Sequence, residues 1–243
     1  MSELKKYVET SAFRQWLLKA LQWIAKLLSN LEIVDGENLP DSGAYLVTTN
    51  HTSILDAPFL MLSTKRKDII AMVATKYENT PVISWFLRKV GVIWINREGY
   101  DFQAFRQATD FLNSGGMLGI APEGTRSKNG KLIEGKPGSV LLALKANVPV
   151  IPAVVMGAAE LKKNILRLRK TNVKVIFGKP YSLVQPKEGQ SQKDVLDANV
   201  TEVMCQIAAL LPEECRGFYR DNPRLKVILA NQMAAGAAEM ELS

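Results

Sequence analysis

One histidine and two cysteines leave this 243-residue chain almost bare of soft metal ligands. Cys205 and Cys215 stand ten residues apart, which matches no zinc spacing, and a single imidazole cannot complete an ordinary zinc set. Both thiols are read as packing residues in a reducing compartment, and neither a metal nor a cofactor is expected. An unbroken apolar stretch of roughly 18 to 20 residues is also lacking, so no segment is expected to span a bilayer as a helix. Glu3, Lys5, Lys6 and Glu9 crowd the start of the chain, and no cleavable signal is expected there. No internal repeat recurs, and the glycine spacing misses the phosphate loop of nucleoside triphosphatases, which sets ATP and GTP binding aside. Acidic residues are in short supply, 24 against 31 Lys and Arg, for a formal net charge of +7. That balance points to an anionic partner: nucleic acid, a phosphorylated metabolite or an acidic membrane surface. The absence of an aromatic nucleic-acid box argues against the first.

What is present is a folded chain, 47% hydrophobic, in which short apolar runs alternate with helical periods. Strands are predicted near residues 31–34, 43–49, 69–74, 91–95, 117–121, 148–155 and 173–178. Helices are predicted near 11–31, 53–62, 81–89, 101–113, 140–145, 194–211 and 226–241. In the helix over 101–113, Phe102, Phe105, Ala108, Thr109 and Leu112 are expected to face inward. The pattern predicts an α/β domain with a mixed central sheet flanked by helices over 32–243, preceded by an N-terminal amphipathic helical element over 1–31.

That leading helix carries Phe13, Trp16, Leu17, Ala20, Leu21, Ile24, Leu27, Leu28 and Leu31 at three-and-four spacing, with Gln15, Lys19, Gln22 and Lys26 opposite. Leu18, Trp23 and Ala25 widen the apolar sector, and Ser11 is a candidate cap. Packing on a core would explain the pattern. Two tryptophans seven apart favour a helix lying in the plane of a bilayer, with lysines toward phosphates.

The lone histidine sits in Asn50-His51-Thr52-Ser53-Ile54-Leu55-Asp56, where a strand ends and a helix begins. Asp56 can accept the proton of one ring nitrogen, which fixes the tautomer and leaves the other nitrogen to take a proton from a substrate. A structural histidine bonded to a neighbouring acid is the plainer alternative. The pair lacks the third member of a hydrolase triad, so any nucleophile is expected from the substrate. Lys76 follows the strand over 69–74 and reads equally as a ligand contact or a surface lysine. Arg97 closes the strand over 91–95, placed to fork onto a phosphate or to pair with Glu98 or Asp101. Pro122-Glu123-Gly124-Thr125-Arg126-Ser127 closes another. There Gly124 permits close backbone approach, Arg126 offers a second fork, and Glu123 is expected to hold Arg126 or bond a substrate hydroxyl. Lys136 precedes a helix start rich in small residues, whose amides suit an anion. Lys162, Lys163, Arg167, Arg169 and Lys170 form a basic cluster that fits anionic headgroups or plain solvent.

Four ordered blocks then carry a resemblance. The box of Asn50 to Asp56, the run Gly91 to Arg97, the loop Pro122-Glu123-Gly124-Thr125-Arg126 and Val148-Pro149-Val150-Ile151-Pro152 resemble the glycerolipid acyltransferase family, over about residues 33–185. Its best-known members are the bacterial 1-acylglycerol-3-phosphate acyltransferases. The resemblance implies an enzyme that moves a fatty acyl group from acyl-CoA or acyl-carrier protein to the sn-2 hydroxyl of 1-acylglycerol-3-phosphate, giving phosphatidic acid. It implies His51 as general base, Asp56 as its orienting partner, and Arg97 and Arg126 as phosphate ligands. Lys76 and Lys136 match further basic positions, and Glu123, Gly124 and Thr125 would position substrate. Glycerol-3-phosphate or another lysophospholipid is the alternative acceptor, and a non-catalytic protein of anionic membranes the more distant alternative. Family members often carry an amphipathic helical pair that seats them on a membrane, which implies a peripheral or monotopic place on its cytoplasmic face. Here one helix is evident unless residues 2–10 supply another. Ala121 stands where an aromatic residue is common, next to an expected acyl wall.

Overall fold

A computed structural model describes residues 2–97 and 99–241. Helices α1 (Glu3–Thr10) and α2 (Ala12–Leu28) lead into strand β1 (Ser29–Val34). The chain continues through β2 (Tyr45–Thr49), α3 (Asp56–Leu62), β3 (Ile69–Ala74), α4 (Pro81–Val90), β4 (Val92–Ile95), α5 (Phe102–Asn113) and β5 (Met117–Ile120). It ends with α6 (Gly138–Ala146), β6 (Val150–Met156), α7 (Leu161–Leu166), β7 (Thr171–Phe177), α8 (Gln192–Ala209) and α9 (Pro223–Glu241). Among the described residues, the strands make one sheet ordered β1-β7-β6-β2-β5-β3-β4. This is the expected mixed α/β architecture.

Strands β2 to β6 run parallel, β7 runs antiparallel to β6, and β1 runs parallel to β7. The loops that follow β2, β4, β5 and β6 therefore gather at one end of the sheet. The chain enters β1 and β7 at that same end. Helices cover both faces, so the inner strands are apolar on both sides. Leu46 packs into one layer and its neighbour Val47 into the other, and Ile70 and Ile69 divide in the same way. Helices α8 and α9 add a third apolar cluster around Val203, Ile207 and Leu225. Cys205 is buried within it and Cys215 is partly buried, both as free thiols that serve packing.

The N-terminal element takes the two-helix form that the sequence left open. Residues 2–10 do form their own helix, with the Ser2 hydroxyl accepting from the Lys5 amide, and Ser11 ends α1 and caps α2 by accepting from the Arg14 amide. The second helix stops at Leu28, short of residue 31, because Ser29 to Val34 pair with Thr171 to Ile176. Strand pairing outcompetes helical periodicity there. The helical pair is seated on the domain by two fully buried side chains, Val8 and Arg14. The Arg14 guanidinium donates to the carbonyls of Val90 (2.5 Å), Val8 (3.1 Å), Ile69 (2.7 Å) and Lys67. Burial lowers its pKa to about 10. Isolated burial of an ion costs several kcal/mol, and four charge-assisted bonds at roughly 1.5 to 3 kcal/mol each offset that.

Helix α5 keeps its expected face except at its first residue: Ala108 and Leu112 are buried and Phe105 packs against the core. Phe102 is 81% exposed, beside Tyr100, while Ala104, Ala108, Phe111 and Leu112 face the sheet. Among the described residues, no helix is long and apolar enough to cross a membrane.

Candidate active site

The loop after β2 is held rigidly before any catalytic group is considered. Asn50, nearly buried, uses its side-chain amide as a peptide would. Its Nδ2 donates to the Val155 carbonyl (3.1 Å) and its Oδ1 accepts from the Val155 amide (2.8 Å). This ties the loop to the neighbouring strand β6. One residue on, the His51 ring meets Asp56, the first residue of α3, with Nδ1 to Oδ2 at 3.2 Å. The same oxygen accepts from the amides of Thr52 and Ser53, each at 2.7 Å. A carboxylate can only accept, so Nδ1 carries the hydrogen and Nε2 is left with its lone pair. The helix starts at Asp56 and not at residue 53 because these amides turn in to meet the carboxylate. The pairing read from the sequence is therefore present, and the ring lines a cavity instead of packed core.

Glu123 is placed differently from its expectation. Its side chain is buried and bonds backbone amides instead of Arg126. Oε1 accepts from the His51 amide (2.7 Å) and Oε2 from the Ile133 amide (3.0 Å). A second brace runs from the Ser127 amide to the His51 carbonyl (2.8 Å). With both oxygens committed to backbone, Glu123 positions the histidine loop instead of a substrate hydroxyl. Burial pushes its pKa up to about 7, against the opposite pull of the two amides.

Three predicted residues meet around the loop after β5. Gly124 adopts a left-handed φ of +68°, and an added Cβ would sit 3.0 Å from Cδ of Lys136. The Gly124 carbonyl accepts from Arg97 Nη1 at 2.8 Å. Arg97 is thus pinned to the loop and not to Asp101, whose carboxylate caps α5 and accepts from the Asn96 amide. Glu98, the other partner considered for it, lies outside the described residues. Arg97 as a residue stays exposed, yet desolvation of its guanidinium lowers its pKa, and nearby Arg126 pushes it the same way. Two cations close enough to repel suit a bound anion.

His51, Asp56, Arg97, Gly124 and Lys136 all line one cavity of about 300 Å³ at the catalytic end of the sheet. Its polar mouth gives way to an apolar depth made by Leu60, Met61, Ile69, Ile70, Met72 and Ile95. Ala121 lies on its wall, as the resemblance implied. Ser139, buried at the start of α6, also lines it, a contact the sequence gave no means of seeing. Thr125 and Arg126 are exposed and do not line it. Neither does Lys76, whose ammonium lies over the Tyr77 ring at 5.3 Å.

Known proteins are similar to this chain in sequence and in fold. A 1-acyl-sn-glycerol-3-phosphate acyltransferase of Arabidopsis thaliana chloroplasts is 32% identical over 181 residues, covering 69% of this chain and 50% of the relative. A protein of the same description from Bacillus subtilis is 26% identical over 161 residues, covering 66% of this chain and 78% of the relative. The chain thus spans about half the length of the plant relative. The crystal structure of a 1-acyl-sn-glycerophosphate acyltransferase from Thermotoga maritima superposes with a TM-score of 0.57 and 27% identity, covering 78% of this chain and 77% of that one. The Acyltransferase family model matches residues 30–156, from β1 through the last residue of β6, and the chain belongs to that family.

Proposed function

We propose that this protein is a 1-acylglycerol-3-phosphate O-acyltransferase, drawing its acyl group from acyl-CoA or acyl-carrier protein and releasing phosphatidic acid. The observation that carries the reading is a single cavity with an Asp56-held imidazole at its mouth, cations beside it and an apolar interior behind it. Nε2 of His51 takes the proton of the acceptor's sn-2 hydroxyl as that oxygen attacks the thioester carbonyl. The tetrahedral intermediate collapses, the C–S bond breaks, and the proton passes from the imidazolium to the departing thiolate. Atoms balance as alcohol plus thioester to ester plus thiol, with no acyl-enzyme. General-base help of this kind is worth about 10²- to 10⁴-fold. Fixing the acceptor beside the base supplies much of the remainder.

Arg97 and Lys136, which meet at Gly124 on the cavity lining, hold the acceptor phosphate, and Arg126, outside the lining but close enough to shift Arg97, adds its charge. Asp56 orients the imidazole, while Asn50 and Glu123 keep its loop in place. The apolar depth takes an acyl chain. Relatives described as lysophosphatidate acyltransferases favour that acceptor over glycerol-3-phosphate.

The protein would work on an anionic membrane surface, on its cytoplasmic face. Helix α2 turns Phe13, Trp16, Trp23, Ile24 and Leu27 outward, and Trp85 of α4 meets Phe13 edge-on at 6.2 Å. A patch of that kind, bordered by lysines, matches an interfacial helix. Thiol release measured for acyl-CoA and acyl-carrier protein against lysophosphatidate, glycerol-3-phosphate and a phosphate-free monoacylglycerol tests the assignment. Turnover is expected with lysophosphatidate and not with the phosphate-free acceptor; equal rates with both would remove the arginines from the account.

A further inference from the structure

The basic segment over 161–170 takes no part in the cavity, and its exposed side chains are of two opposed kinds. Leu166 is 79% exposed and Leu168 97% exposed, among Lys162, Arg167, Arg169 and Lys170, with no acid in the segment. Lys163 forms an ion pair with Glu160 at 3.4 Å. Leu168 also holds a left-handed φ of +52°, which costs an L-residue about 1 to 2 kcal/mol. No packing contact of its side chain offsets that cost, since the side chain stands almost wholly free.

Topology places this turn at the catalytic end of the sheet. It joins β6 to the antiparallel β7, so it begins where β6 ends, beside the loop that carries His51. Parallel pairing of Ser29 with Thr171 sets the last turn of α2 next to the last residues of the basic segment. Lys170 Nζ donates to the Lys26 carbonyl of α2 at 3.1 Å, which fixes the two elements to each other. The C-terminal half of α2, which carries the exposed Trp23 and Leu27, is thereby fixed to the turn that carries the exposed leucines.

We propose that the turn over 166–170 is a second contact with an anionic bilayer, its leucines entering the acyl boundary and its arginines and lysines meeting headgroup phosphates. This rests on the membrane reading of α2 and adds to it. The last turn of α2 and this turn meet at one end of the sheet, and two contacts fix how the domain sits on the lipid, where α2 alone would allow rotation about its axis. Solvent would suit the cations without the leucines, and an apolar protein partner would suit the leucines without the cations; a bilayer of acidic lipid suits both.

The test is sedimentation of the full chain with vesicles of phosphatidylcholine, alone or mixed with phosphatidylglycerol. Leu168→Gly suits the left-handed backbone, so it removes the side chain while leaving thermal stability equal or raised. Leu166→Ser with Leu168→Gly is expected to weaken partitioning about tenfold. Arg167→Gln with Arg169→Gln is expected to weaken it on the order of fivefold per residue on mixed vesicles and not on neutral ones. Trp16→Ser with Trp23→Ser serves as the α2 comparison. If the unaltered chain ignores mixed vesicles, both membrane readings fall. If the tryptophan variant is released and the turn variants bind normally, the turn proposal falls alone. Normal vesicle binding by the arginine variant, with turnover lost only for an acyl-carrier-protein donor, would also overturn it in favour of an acidic protein at this turn.

Discussion

Strands β3 and β6 are wholly apolar, bury isoleucine, valine and alanine, and leave polar groups to the loops at their ends. Helix α2, packed against the same domain, buries an arginine and turns tryptophans outward. The strands follow the ordinary rule of apolar side chains away from water. The helix reverses it, and each half of the reversal has its own cause. Arg14 can be inside because backbone carbonyls of α1, α4 and the start of β3 converge on it. Trp16 and Trp23 can be outside because the proposed solvent for that face is lipid. On the proposed membrane reading, the difference separates two jobs, one that holds the strand-end loops still and one that brings them to their substrate.

Removing the buried cation is expected to have the largest effect. Arg14→Ala leaves four carbonyls without a donor, at about 1 to 3 kcal/mol each, and is expected to unfold the chain or cost it about 4 kcal/mol in denaturant titration. A loss below about 1 kcal/mol would show that the helical pair is only loosely attached. In the strand-end loops, Asp56→Asn is expected to lower turnover about 10³-fold with little change in acceptor KM, since it disturbs the histidine tautomer and not the arginines. A KM effect of similar size would place Asp56 in substrate binding instead.

Glu123 tests the loops through pH. Its folded pKa is raised from 4.5 to about 7, so its favourable contribution is fully present below 4.5 and is lost as pH rises through about 7. The stability of the unaltered protein relative to Glu123→Gln is therefore expected to fall by up to about 3 kcal/mol between those limits, read from thermal unfolding at stepped pH. A flat difference would mean the carboxylate is not desolvated by its site. The smallest stability effect belongs to the outward face of α2. Trp16→Ser with Trp23→Ser is expected to change unfolding free energy by less than about 0.5 kcal/mol per residue while releasing the protein from anionic vesicles. Marked destabilisation would return these tryptophans to the core.

What the sequence could disclose follows the same division. His51 and Asp56 were legible because a five-residue step across a helix start brings the two side chains together locally. Arg97 and Gly124 were legible as strand-end groups, since β2, β4 and β5 are parallel and their exits coincide, and Lys136 as a basic residue ahead of a helix start rich in small residues. Glu123 was not, because its partners, the amides of His51 and Ile133, are backbone groups with no signature in the side-chain pattern. Asn50 and Arg14 were hidden for the same reason: each acts on main-chain atoms of distant elements. Phe102 was placed inward because periodicity alone does not say where a helix face begins, and the Asp101 cap sets α5 so that its first residue faces out.

The central claim concerns one nitrogen. Thiol release by His51→Ala, measured beside the unaltered protein with acyl-CoA and lysophosphatidate on anionic vesicles, reads it directly. The account predicts loss of at least about 10²-fold in turnover, with unchanged thermal unfolding and unchanged vesicle binding. A variant that folds, binds vesicles and releases thiol at the unaltered rate would contradict it.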